Sequence, residues 1–190
     1  MGRTRPLFVR GVQEQHPDQQ VQVWFQDEAR IGQQGPLTHV WGERGATPRA
    51  VRQPDYQWGY IFGAVNPLNG DSSALIAPTV NTDLMNTHLR MIAEEAGDDV
   101  HGVLVLDGAG WHQSNDLKVP ASMTLLFLPP YAPELRPMER VWQWMRQHEL
   151  SNRVLADTTA IDEACRASWR KLTKERLQST THTAWLTHEI

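Results

Sequence analysis

With a single cysteine, Cys165, the chain can form no internal disulfide and offers zinc no CxxC pair. That usage fits a reducing cytosol. Long hydrophobic runs are missing too: the longest, Val103 to Leu106 and Leu125 to Leu128, fall far short of the ~20 apolar residues that a membrane-spanning helix needs. Met1-Gly2-Arg3-Thr4-Arg5 does not open a signal peptide, so no membrane role is expected. There is no recognisable Ser-His-Asp or Cys-His pattern, no Walker loop and no GxGxxG, and the eight histidines form no HxxxH or HExxH pair. Internal repeats and low-complexity segments are absent as well.

What is present is a chain of 190 residues, 40% hydrophobic, enough for one good core and one domain. Its net charge of −4 is unevenly distributed. Residues 1–52 carry seven basic and five acidic side chains, residues 53–119 two and nine, and residues 120–190 nine and eight. The acidity is therefore regional, and Asp83, Glu94, Glu95, Asp98 and Asp99 are expected to form a solvated helix face. Arg44, Arg49 and Arg52, and later Arg136, Arg140, Arg146 and Arg153, form small basic clusters that could meet phosphates.

Met1 to Gln20 is polar without a clear period and reads as a linker or the tail of something upstream. Val21, Val23 and Phe25 alternate along a strand that should deliver Asp27 at its C-terminal end. Gly32 to Pro36 is a turn. Short strands are expected at Leu37–Trp41, Thr47–Val51, Gln57–Val65 and Ser73–Ala77, with a turn at Asn66-Pro67-Leu68-Asn69-Gly70, together an antiparallel meander. Asn81 or Thr82 should cap a helix that ends near Gly97 and carries Leu84, Met85, His88, Leu89, Ile92 and Ala96 on one side, with His88 a boundary residue rather than a ligand. Gly102 to Leu106 is apolar throughout its interior, the pattern of a strand buried on both faces, and it ends on Asp107. A loop through His112, a polar turn from Asn115 to Lys118 and a last strand at Ser122–Leu128 follow. A final helix from about Asp157 to Leu177 should bury Ile161, Cys165, Trp169 and Leu172.

Between the last strand and that helix lies Leu128-Pro129-Pro130-Tyr131-Ala132-Pro133-Glu134-Leu135-Arg136-Pro137-Met138-Glu139. Its prolines forbid helix or central strand until Pro137, which suits a helix's first turn. Met138, Val141, Trp142 and Met145 then mark one helical face, running to about His148 or Leu150. Glu139 falls in the first turn, where the helix dipole favours a carboxylate whether or not it has a further role.

Asp27 and Asp107 would lie side by side if their strands pair in parallel, at the mouth of a sheet where sites usually sit. An acid continuing an apolar strand suffers desolvation unless paired or bound to a cation; the alternative is that Asp107 only begins a turn with Gly108. With Glu139 added, three hard oxygen donors would suit magnesium or manganese. Two such ions can clamp the attacking and leaving oxygens of a phosphodiester.

Phe25-Gln26-Asp27-Glu28-Ala29-Arg30, Val105-Leu106-Asp107-Gly108-Ala109-Gly110-Trp111-His112 and Leu128 to Trp142 resemble, in order and spacing, the three motif blocks of the DDE superfamily endonucleases. More narrowly they look like bacterial insertion-sequence transposases related to the mariner group, with 31 residues between Asp107 and Glu139. The resemblance covers roughly Val21 to Arg153. It implies an α/β, ribonuclease H-like fold with a mixed five-stranded sheet flanked by helices, in a catalytic domain over 21–178 with a tail at 179–190. Residues 1–20 would be a linker or the remnant of an upstream DNA-binding region. It further implies that Asp27, Asp107 and Glu139 form a catalytic triad holding two Mg2+ or Mn2+ ions, with Asp27 bridging them. His112 matches a frequent histidine that would touch the scissile phosphate or order its loop, and Arg30, Arg136 and Arg140 are further candidates for DNA contact. Gly108 stands where relatives often carry Asn. Trp111 and Trp142 are read as packing. The implied partners are DNA, as transposon ends and target, an upstream helix-turn-helix half of the transposase, and a second copy of the chain in the DNA complex. The implied place is the bacterial cytoplasm, at the nucleoid. Two other readings stay open: a ribonuclease H-type nuclease, and a non-catalytic or domesticated fragment that binds DNA or transposase and regulates it.

Overall fold

The computed structural model describes residues 4–35, 41, 43–45, 53, 55–129, 137–183 and 185–186. It opens with a helix, α1 (Thr4–Gln15), and continues through β1 (Gln20–Gly32), β2 (Trp58–Val65), β3 (Ser72–Ala77), α2 (Thr82–Ala96), β4 (Val100–Leu106) and β5 (Met123–Phe127). Three helices complete it: α3 (Met138–Met145), α4 (Thr158–Arg170) and α5 (Lys174–Thr181). The five strands form one mixed sheet in the order β3-β2-β1-β4-β5. β1, β2 and β3 form an antiparallel meander, in which β2 and β3 are two of the four short strands expected, and β4 pairs in parallel with both β1 and β5.

All seven residues of β4 are buried, because helices cover both faces of the sheet. On one face Val23, Phe25, Val103 and Val105 pack with Val141, Trp142, Ile161, Cys165 and Leu177 of α3, α4 and α5. On the other Trp24, Phe62, Leu104 and Leu106 pack with Met85, Leu89 and Ile92 of α2. Cys165 is a core residue, and burial followed by the nearby Asp162 charge pushes its thiol up to about 12. The α2 boundaries follow from capping: the Asn81 side chain accepts from the Leu84 N–H, and the chain leaves the helix at Gly97 with φ 98°. Gly70, at φ 76°, turns the β2–β3 hairpin directly against the backbone of Lys174. Among the described residues no helix is long and apolar enough to cross a membrane.

Several expectations need correction. Residues 4–15 are helical, not irregular: Val9 and Val12, one turn apart, are buried in the larger core, and the flanking polar residues obscured a stripe this thin. Asp27 does not end its strand, since β1 continues to Gly32 with Ala29 and Ile31 buried. The single helix expected from Asp157 to Leu177 is two. Its first part tightens at Lys171 and Leu172, whose N–H groups bond to Ser168 and Trp169, and the Thr173 side chain then accepts from the Arg176 N–H to start α5. His88 is fully buried rather than a boundary residue. The strands expected at 37–41 and 47–51 lie outside the described residues apart from Trp41, and so do Pro130 to Arg136. Pro137 directly precedes α3 with helical angles, and beyond Met145 the helix widens into a π-helical turn, Arg146–Leu150.

Candidate active site

Asp27 and Asp107 come together because β1 and β4 are parallel and in register. Their last pair is Phe25↔Val105, and two residues further along both strands stand the aspartates. Side chains alternate along a strand, so both continue the face of Phe25 and Val105, the face that α3 covers. They line one small cavity with Leu128, Pro137 and Met138. Beyond Phe25, β1 no longer pairs with β4, and Asp27 faces only Gly63 of β2.

Gly63 matters to this arrangement. A Cβ there would come within 2.5 Å of the Trp142 ring and 3.0 Å of Met138 and Trp169. Its absence lets α3 lie close against the sheet, so that the Trp142 indole N–H donates to Asp27 Oδ2 at 2.9 Å. Burial raises the Asp27 carboxyl to about 7; the Trp142 hydrogen bond opposes that shift, and the charges of Glu28 and Glu139 add to it. Asp107 is partly exposed. Its Oδ1 accepts from the Ala109 N–H at 3.0 Å, so it does shape the turn after β4 while also lining the cavity. Glu139 is exposed in the first turn of α3, directly after two lining residues and one turn before Trp142.

A second cluster lies behind this one. Glu28, next to Asp27 but on the opposite face, receives three donors on Oε1: Gln26 Nε2 at 3.0 Å, Trp111 Nε1 at 3.3 Å and His112 Nε2 at 2.9 Å. The other ring nitrogen of His112, Nδ1, lies 3.0 Å from both the main-chain carbonyl and Oδ1 of Asp107. The ring is 1% exposed. Burial pulls its pKa down, but the bonds to Asp107 and Glu28 outweigh burial and raise it to about 9. His112 therefore orders the loop after β4 and does not face solvent. Nothing in the sequence marks Glu28 for this role, since its partners lie 83 and 84 residues away. The two tryptophans read as packing do pack, and each also donates its indole N–H to an acid.

The basic candidates fall elsewhere. Arg30 projects from the face of β1 opposite Asp27, with its guanidinium 5.2 Å over Trp58. Arg140 donates to the His182 carbonyl at 2.8 Å, tying α3 to the segment after α5. Arg136 lies outside the described residues. A Cβ on Gly108 would meet the tip of Gln113 at 2.9 Å, so a larger residue there needs that side chain to move.

Among the described residues no three of His, Cys, Asp and Glu lie close enough together to hold an ion. The donor chemistry nonetheless fits a hard divalent cation: two carboxylates line one cavity, and one of them is raised to about 7, chiefly by burial.

Comparison with known proteins gives a consistent picture. The family model described as DDE superfamily endonuclease matches residues 22–162. Over 115 residues, 60% of this chain and 85% of the other, the sequence is 50% identical to the uncharacterized protein y4pE/y4sA of Sinorhizobium fredii (strain NBRC 101917 / NGR234). It is 24% identical over 158 residues to the insertion element IS630 uncharacterized 39 kDa protein of Shigella sonnei, covering 81% of this chain and 43% of that one. In fold it is similar to the Mos1 mariner paired-end complex with manganese, with TM-score 0.64, 14% identity and 96% of this chain covered. The Mos1 strand transfer complex gives TM-score 0.62 at 12% identity, with 94% covered. The chain spans less than half of the Shigella protein and 56 to 58% of the Mos1 chains.

Proposed function

The chain belongs to the DDE superfamily endonucleases, and from that premise we propose that it is the catalytic domain of a DNA transposase, cleaving at transposon ends and joining the freed 3′ hydroxyl to target DNA. One observation carries this reading: Asp27 and Asp107 stand at matching positions on adjacent parallel strands and line one cavity beneath the start of the Glu139 helix. The insertion-element relative and the Mos1 fold, solved as a strand transfer complex and with Mn and Mg in paired-end complexes, support it.

Asp27, Asp107 and Glu139 would hold two Mg2+ or Mn2+ ions. Bound there, such cations polarise the scissile phosphate and acidify the attacking hydroxyl. The chain's own residues prepare the place. Trp142 fixes one oxygen of Asp27, Gly63 admits α3 to the sheet, and α3 carries Glu139 to the cavity's edge. Burial raises Asp27 to about 7, and to serve as a ligand near neutral pH it would have to be in its ionised form. End recognition is assigned to a helix-turn-helix portion outside these 190 residues, consistent with the small share of the Shigella relative that the chain covers, and the working form on DNA to a homodimer.

The test is cleavage of a duplex carrying an element end, in magnesium or manganese, by the chain joined to its DNA-reading half. Asp107→Asn is expected to abolish cleavage while leaving the fold intact. Undiminished cleavage by that variant would refute the assignment.

A further inference from the structure

Asp27 and Glu28 are neighbours on β1 yet point to opposite faces of the sheet, and only Asp27 reaches the cavity. Glu28 is nonetheless heavily engaged, with a side chain 9% exposed and one oxygen taking three donors. A buried carboxylate with this many donors is held in one orientation. The bridge from it to the cavity is His112. Every partner of the ring is an acceptor: Glu28 Oε1 at Nε2, and Asp107 Oδ1 and the Asp107 carbonyl at Nδ1. The ring therefore spans the two acids, held by hydrogen bonds at both of its nitrogens.

We infer that Glu28 is a positioning residue for the metal site: acting through the His112 ring, it fixes the side chain of Asp107 from the far face of the sheet. This rests on the reading of Asp107 as a cation ligand. β1 then serves the site twice, with Asp27 lining the cavity and Glu28 bracing the acid of the neighbouring strand. The brace also sets the loop after β4, because Trp111 and His112 end on the same Glu28 oxygen. Residues that orient ligands in this way commonly govern metal affinity by 10- to 100-fold.

The test compares wild type, Asp107→Asn, Glu28→Gln, His112→Asn and the Glu28→Gln/His112→Asn double variant of the 190-residue chain. Two readouts are used: manganese affinity by calorimetry, and imidazole NMR of the metal-free protein. Wild type should show one well-resolved set of His112 ring signals, and both Asp107→Asn and Glu28→Gln should shift them. Glu28→Gln, which keeps shape and an acceptor, should weaken manganese binding roughly 10-fold or more. In the His112→Asn background the same change should alter affinity less than twofold, because the route to Asp107 is already cut. A general loss of stability would not produce that coupling. Wild-type binding that Asp107→Asn removes and Glu28→Gln leaves unchanged overturns the inference alone, as do additive effects in the double variant or His112 ring signals that Glu28→Gln leaves unmoved. Failure of wild type to bind manganese removes the parent reading and this one with it.

Discussion

Asp27 carries several influences at once: burial, the Trp142 indole donor, two nearby acids and the Glu28 main-chain N–H, with the net result that its carboxyl is raised from 3.8 to about 7. A raised acid contributes stability that is complete below the unfolded value of 3.8 and lost as pH rises through 7. Above that pH the metal-free protein holds a buried charge that it would be better without. Asp27→Asn keeps an acceptor for Trp142 and removes that charge. It should match wild type in urea denaturation at pH 4 and exceed it by a few kcal/mol at pH 8; a variant weaker than wild type at pH 8 would contradict the burial argument. Manganese should raise the wild-type Tm more at pH 8 than at pH 6, where a proton must first be displaced, and should not raise that of Asp27→Asn.

At the scale of elements, the position of α3 decides how near Glu139 comes to Asp27 and Asp107, and Gly63 sets how close α3 can lie. Gly63→Ala should destabilise the fold by about 1–3 kcal/mol through overpacking. It should also shift the fluorescence of Trp142 as its bond to Asp27 is lost; unchanged stability and emission would show that the helix can retreat freely. Much of this layer is legible in the sequence. The apolar run of β4 can only be a strand covered on both sides, Asn81 and Gly97 bracket α2, and Pro137 places Glu139 in a first turn. The parallel pairing that brings Asp27 to Asp107 was open in the sequence as a condition only, because β2, β3 and α2 all intervene between the two strands. Three things are not legible, each for a physical reason. α1 buries only a thin stripe, so its period is lost among polar residues. The break at Leu172 depends on Thr173 competing for backbone donors, which any threonine can do and few do. The brace from Glu28 to Asp107 joins residues whose sequence separation gives no local pattern. The continuation of β1 was visible in the alternation of Ala29 and Ile31, but an acid at Asp27 reads locally as a strand end.

For the molecule as a whole, three buried titrating groups shape the pH dependence, and one of them, His88, opposes the other two. His88 sits fully buried, neither ring nitrogen has a hydrogen bond of good geometry, and burial lowers it to about 4 against a smaller effect of the Ser73 backbone. A depressed histidine contributes stability that is present above 6.5 and lost as pH falls towards 4. Over that range Asp27 acts in the opposite sense, so the two largely cancel. The Asp27→Asn variant should therefore reveal an acid loss of about 3 kcal/mol between pH 6.5 and 4 that wild type conceals. On the alkaline side, His112 is raised to about 9, so its contribution is complete below 6.5 and disappears as pH passes 9. Denaturation midpoints followed from pH 7 to 10 should fall in wild type and much less in His112→Gln; parallel slopes would show that the ring is not charged in the native state.

Adjacent acids on opposite faces of β1 also make the chain sensitive to changes in its length. A one-residue insertion or deletion between Gln20 and Phe25 that preserved the downstream pairing would cost only the start of the strand. If the slip were instead carried through Asp27, every side chain would change faces. A deletion would then bring the longer Glu28 to the cavity and an insertion would bring the uncharged Gln26; in either case Asp27 would be turned to the opposite face, and both halves of the carboxylate arrangement would fail in a single mutational event.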